Sequence, residues 1–316
     1  MTTRGLVLGA GGVLGGAWTI GALAAVEEVY GWDPREADVL VGTSAGSVLA
    51  GLLGAGVSVE QLLNHQRGVL VPGDPEIGYD YDKDSGGALP PLPRLRIGSP
   101  RAVVHNALHP WRVPPMAALA AVLPEGRGSL EPVGAVIDAV LPEGGWAPHP
   151  ATWLVAMDYD SGRRVAFGQE GSPLASLRQA VMASCAIPGW YAPVQVGKRR
   201  YVDGGTCSPT SLDLVAPLGL DEVVVLSPMT SLDYDAPTSV AGRIERQIRR
   251  VVTRRLVREV KKVAGTGCRV TLLGPGREDL EAIGANLMDP SRRAQVLETS
   301  LRTSAARLQT PLRAVG

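Results

Sequence analysis

The pentapeptide Gly42-Thr43-Ser44-Ala45-Gly46 follows the short apolar run Asp38–Val41 and leads into a small-residue apolar stretch that ends near Gly56. Gly-x-Ser-x-Gly between a strand and a helix is the arrangement of an exposed nucleophilic serine. The turn forces the serine into a strained conformation, Gly42 and Gly46 remove side chains that would clash, and the helix N-terminus favours developing negative charge. The plainer alternative is that Thr43 or Ser44 only caps a helix beginning near Ala45. Such a serine normally hands its proton to a histidine. The chain has four, His65, His105, His109 and His149, all after Ser44. The order Ser–acid–His would crowd the acid ahead of His149, and the two other common orders need a histidine before the serine. Three of the four lie in a proline-rich stretch or its flank, a poor place for a rigidly held base. A histidine triad is therefore not expected.

A carboxylate is the remaining base. In Tyr201-Val202-Asp203-Gly204-Gly205, Asp203 ends a predicted strand, and the two glycines let another segment approach without adding side-chain donors. An unperturbed aspartate, with a pKa of about 3.9, is a weak base for a hydroxyl, but close contact and desolvation make it effective. The alternative is an ordinary Asp-Gly turn. A third component is offered by Leu8-Gly-Ala-Gly-Gly-Val-Leu-Gly-Gly16, a glycine loop between a strand and a helix. Consecutive N–H groups in such a loop can converge on the oxygen of a tetrahedral intermediate. The same loop also resembles a dinucleotide-binding fingerprint, but that fold wants an acidic residue at the end of the second strand. Here the second strand ends in the serine pentapeptide.

These residues need a scaffold. Residues 5–9 read as a buried strand, with a helix from about Ala17 to Tyr30 after the glycine loop. The run Ala37–Gly42 reads as the next strand, and strand–helix alternation implies a parallel sheet. Residues 64–115 hold nine of the 25 prolines, an acidic patch (Asp74, Glu76, Asp80, Asp82, Asp84) and little periodicity. They are expected to be a proline-rich insert near the site, a candidate lid. Order returns with two strands in residues 151–167 joined by an Asp-Ser-Gly turn, a helix stopped by Pro188, a hairpin ending at Asp203 and a buried strand at 221–228. From Ser239 to Val263 a long helix carries nine Lys or Arg against two Glu, with Ile244, Ile248, Val251, Val252, Leu256, Val260 and Val263 on one face. That face is expected to pack on the sheet, its arginines solvated or paired with the acidic insert; the alternative is a helix lying on anionic membrane. One more strand and two helices close the chain. The expected division is a catalytic domain over residues 1–235 and a helical extension with one strand, 236–316, on the same domain.

Equal numbers of acidic and basic residues, 31 each, argue against a nucleic-acid partner. Three cysteines without CxxC spacing favour a reducing compartment. Residues 5–26 carry no charge, which admits a signal peptide. Seven glycines there make a poor apolar helix, and cleavage would remove the glycine loop, so a cytoplasmic protein, at most peripheral to membrane, is expected.

In this order the glycine loop, "GTSAG" and "VDGG" closely resemble the patatin-like phospholipases, and "ASCAIPGWYAPV" ahead of the aspartate is similar as well. The resemblance covers roughly residues 5–230. It implies a three-layer α/β/α fold with a mostly parallel central sheet, a Ser–Asp dyad without histidine, no metal or cofactor, and lipid or other acyl-ester substrates. Ser44 matches the nucleophile, Asp203 the dyad aspartate, and Gly11 and Gly12 two of three oxyanion glycines. The activity implied is of phospholipase A, lysophospholipase or lipase–esterase type; a catalytically weak lipid-binding or regulatory protein of the same fold is the alternative. Ala10 replaces the first of the three glycines, and Leu14 stands where the family has Arg or Lys. The missing cation favours a less charged ester over anionic phospholipid.

Overall fold

Alternation along short strands sorts the core into two faces. Leu6, Leu8, Leu40, Leu154, Ala156, Val224 and Leu226 join one buried cluster, while Val7, Val39, Val41, Val155, Val223 and Val225 join another. Side chains of opposite parity point to opposite faces of a sheet, so both faces here are covered. The computed structural model describes residues 2–94, 97–108, 115–232, 237 and 239–309. Its eight strands are β1 (Arg4–Leu8), β2 (Val39–Thr43), β3 (Thr152–Asp158), β4 (Arg164–Phe167), β5 (Val194–Val196), β6 (Arg199–Asp203), β7 (Glu222–Leu226) and β8 (Arg269–Leu273). They form one sheet, hydrogen-bonded in the succession β5-β6-β3-β2-β1-β7-β8, with β6 and β2 sharing one edge of β3 and β4 on the other. The β2–β3, β1–β2, β1–β7 and β7–β8 pairs are parallel, and the β3–β4, β3–β6 and β5–β6 pairs antiparallel.

The helices are α1 (Gly12–Tyr30), α2 (Ala45–Gly54), α3 (Val59–Arg67), α4 (Tyr81–Asp84), α5 (Pro100–Leu108), α6 (Pro115–Val122), α7 (Glu131–Val140), α8 (Leu177–Cys185), α9 (Val240–Ala264), α10 (Arg277–Ile283) and α11 (Arg293–Gln309). Helices α1, α2, α7, α8 and α11 supply the first cluster. Helix α9 and the 3₁₀ segment Leu212–Leu218 cover the other face. The result is a mostly parallel central sheet between two helical layers, as expected.

Two sequence-based boundaries move. Helix α1 begins at Gly12, not near Ala17. Its glycines are not breakers but close-approach points: a Cβ on Gly21 would lie 2.8 Å from the Ser300 Cβ of α11. By length and composition alone α1 could cross a membrane, yet its side chains from Leu14 to Val26 are mostly buried in the core. The 64–115 stretch is also less irregular than its prolines suggest. Its first residues end α3, which starts from a capping box between Ser58 and Gln61, and α4 and α5 lie within it.

Candidate active site

Strand β3 brings the two candidate residues together. Leu154 and Val155 pair with Gly42 and Thr43 on one edge and with β4 on the other; Ala156 and Met157 pair with β4 on that same second edge and with Asp203 and Val202 on the first. Strands β2 and β6 therefore meet end to end along one edge of β3. Thr43, next to Ser44, sits opposite Val155, and Asp203 sits opposite Ala156, the very next residue. Residues 159 positions apart in sequence are thus placed by adjacent register points of a buried strand.

The turn after β2 is tight in every direction. Ser44 adopts φ 54° and ψ −125°, one of two non-glycine residues with positive φ among the described residues. Its N–H donates to Ser184 Oγ at 2.9 Å, and that hydroxyl in turn donates to the Val155 carbonyl of β3. Its carbonyl accepts from Ser47 N–H at 2.7 Å and Ser47 Oγ at 2.6 Å. A Cβ on Gly42 would stand 2.4 Å from the Gly46 carbonyl oxygen, and one on Gly46 would stand 2.1 Å from that of Leu8. Both glycines are thus required for α2 to lie against β1 and β2. Ser184 was not singled out from the sequence. Its only signal there was its place in the "ASCAIP" run, which does not reveal a contact 140 residues away.

Asp203 is 6% exposed and Ser44 5%. Burial lifts the Asp203 carboxyl to about 6; the nearby Ser44 hydroxyl and a hydrogen bond from the Gly205 N–H, at 2.7 Å, oppose the rise. A desolvated carboxylate with few donors is a competent acceptor for the serine proton. Gly204 permits the approach, because a Cβ there would fall 2.3 Å from the Val155 carbonyl oxygen.

The glycine loop closes the third side. The Gly9 and Ala10 amides are occupied by the carbonyls of Leu226 and Pro209. Among the described residues nothing accepts from the amides of Gly11, Gly12 or Val13. Gly12 and Val13 line the same cleft as Ser44. Leu14 does not: it is fully buried in the core, and its N–H holds the Leu287 carbonyl at 3.0 Å. A cation at that position would not face the cleft, so the expected bias against anionic lipid has no basis here. Gly12 has φ +59°, and a Cβ on it would meet Met288 Sδ at 2.9 Å and the Leu287 carbonyl oxygen at 3.0 Å. Gly12→Ala is accordingly expected to lower kcat on a soluble ester by about 10²–10³, the usual cost of one oxyanion donor. Gly31→Ala carries the same backbone penalty at the other end of α1, with open space around it, and should leave kcat unchanged.

The cleft holds about 840 Å³ of empty space continuous with solvent. Its wall is chiefly apolar, with Val48, Leu52, Val133 and Ile187 among the contributors. Tyr79, Tyr81 and Ser85 line it too, so the 64–115 insert borders the site. His65 lies in α3 and faces the cleft, but no hydrogen bond joins it to Ser44 among the described residues; burial and the nearby Arg293 hold its pKa down. His149 is tied to the Ala37 carbonyl at 2.6 Å. The side chain of His105 and all of His109 lie outside the described residues.

A sequence model of the patatin-like phospholipase family matches residues 6–72 and 122–216, just over half of the chain. The chain belongs to that family. The matched segments carry the glycine loop, Ser44, Ser184 and Asp203. The family acts on lipids as an acyl hydrolase family, and a cleft with an apolar wall suits it. Residues 73–121, most of the insert, and everything from 217 onward, including α9, fall outside the match. Among solved structures, VipD from Legionella pneumophila is similar at a TM-score of 0.43 and 13% identity, over 98% of this chain and 67% of that one. No curated protein sequence matches the chain.

Proposed function

We propose that this protein hydrolyses carboxylic esters of lipids through a Ser44–Asp203 dyad and an acyl-enzyme. One observation carries the reading. A serine held at positive φ presents its hydroxyl to a buried carboxylate, at the wall of an apolar cleft that also receives unengaged backbone amides. Asp203 takes the Ser44 proton as Oγ attacks the ester carbonyl. The amides of Gly11 and Gly12 hold the resulting oxyanion. Collapse expels the alcohol, which leaves with the proton from Asp203. Water, deprotonated by the same carboxylate, then attacks the acyl-enzyme and releases the fatty acid. The apolar wall takes the acyl chain, and the reaction needs no histidine.

The expected result is that a fluorophosphonate probe forms one adduct, mapped by mass spectrometry to the peptide containing Ser44, and that a panel of acyl esters suppresses its formation. An adduct on another serine, or none, would overturn the assignment.

A further inference from the structure

The seven apolar residues of α9 do not form one buried stripe. Val252, Leu256 and Val263 are buried, the last two in the cluster on the sheet, whereas Ile244, Ile248 and Val251 are 59%, 50% and 61% exposed. With Val240, 71% exposed, they follow at spacings of four, four and three, which places them on one outward line. The same outward face continues toward the C-terminus as Arg254, Arg258, Lys261 and Lys262. Both carboxylates of the helix turn inward. Glu245 binds Arg246 and Arg249, all three buried. Glu259 accepts from Ser208 Oγ at 2.6 Å, Thr210 Oγ1 at 2.8 Å and the Leu212 N–H. Among the described residues, Arg254, Arg258 and Lys261 have no carboxylate partner, and no ion pair joins α9 to the acidic insert. The exposed face is therefore cationic and apolar with no negative charge of its own.

That face adjoins the catalytic cleft. Ile244 and Ile248 line a groove whose other wall includes Leu287. The next residue, Met288, lines the cleft beside Ser44, and the Leu287 carbonyl holds the start of α1. Asn286 donates at 2.8 Å to the carbonyl of Ala88, whose neighbour Leu89 is another exposed apolar residue.

We propose that the outer face of α9 docks this protein on an anionic phospholipid bilayer, with Ile244, Ile248 and Val251 entering the headgroup layer and Arg254, Arg258 and Lys261 held by lipid charge. The chemistry is that of an interfacial helix: apolar residues bury in the acyl boundary while flanking cations meet the anionic surface. Docking there sets the groove at Leu287 against the bilayer and the cleft next to it. The inference deepens the lipid-hydrolase reading by naming the surface on which the substrate is met.

The test is co-sedimentation with sucrose-loaded vesicles of phosphatidylcholine, and of an equal mixture of phosphatidylcholine and phosphatidylglycerol, at low and high salt. Wild type should sediment with the mixed vesicles at low salt and be released at high salt. Each cation near an anionic surface is worth about fivefold in partitioning, so the triple variant Arg254→Gln, Arg258→Gln, Lys261→Gln should bind on the order of a hundredfold more weakly. The triple variant Ile244→Ser, Ile248→Ser, Val251→Ser should also fail to sediment. All six positions are exposed or partly so, and both variants should keep wild-type melting temperatures and turnover of a soluble short-chain ester while losing hydrolysis of vesicle lipid. Wild-type binding by either variant, or no binding by wild type, overturns the docking surface. A wild-type dimer that the serine variant converts to monomer in sedimentation velocity does so too, by assigning the face to a second copy. Binding as described without turnover of any ester by wild type would instead overturn the hydrolase reading and leave the docking surface standing.

Discussion

Asp203→Asn is expected to abolish ester turnover and, at neutral pH, to make the protein more stable. The carboxyl titrates at about 6 in the folded protein because burial penalises its charged form, against an ordinary value of 3.8. Between those two values the folded chain binds more protons at this site than the unfolded chain does. Stability at this site is therefore greatest when the pH is below the lower value and is lost as pH rises through the window. Above it the full penalty stands, roughly two pKa units or about 3 kcal/mol. Asparagine carries no charge to desolvate, and its Oδ1 can still accept the Gly205 N–H. Chemical denaturation at neutral pH should thus show the variant more stable by up to about 3 kcal/mol, an advantage that disappears near pH 4. Wild-type kcat should fall as pH drops below about 6, when the base becomes protonated. A variant as unstable as or less stable than wild type at neutral pH would mean that Asp203 is held as a favourable structural ion. Retained turnover would mean that it is not the base.

The same desolvation bears on which alcohols can leave. In the proposed reaction the proton that Asp203 would accept from Ser44 must be returned to the departing oxygen, and a carboxyl raised toward neutrality would do both tasks without a large driving force in either direction. A histidine would normally do this, and no histidine is bonded to the serine among the described residues. In the proposed dyad the burial of Asp203 would supply what the side chain's own chemistry lacks.

How much of this could be read from sequence depended on whether a feature is local. The serine pentapeptide, the strand ending at Asp203 and the glycine loop are each defined within a few residues, and short buried strands next to helices made the parallel sheet legible. What escaped was made by tertiary contact. Ser184 positions the Ser44 amide from 140 residues away, and Leu287 and Met288 border the glycine loop from the C-terminal part of the chain. Helix α1 starts earlier than the glycines suggest because their poor helix propensity yields to close packing of Gly11 and Gly15 against Pro228. Helix α9 misled in another way. Its apolar residues satisfy a helical period, but 25 residues span about 37 Å, whereas five-residue strands span about 17 Å. The N-terminal half therefore carries its apolar residues beyond the core that the pattern implied.

Ser44→Gly should likewise separate activity from stability, through the backbone instead of charge. A β-carbon at φ 54° is strained by about 1–3 kcal/mol. The surrounding bonds hold it there: the amide to Ser184, the carbonyl to Ser47, and the close packing of Gly42 and Gly46 leave the turn no alternative path. Glycine relieves the strain but adds chain entropy to the unfolded state, an offset of about 0.5–1 kcal/mol. Ser44→Ala removes the hydroxyl and keeps the strained β-carbon, which isolates the second effect. Both variants should lose fluorophosphonate labelling and turnover altogether, while Ser44→Gly should be more stable than Ser44→Ala by about 1–2 kcal/mol in urea denaturation. Equal stabilities would show that the strain on an alanine at this turn does no more than match glycine's entropic offset. In that case positive φ would be a consequence of the packing, and the serine would be held in place chiefly by its bonds to Ser184 and Ser47.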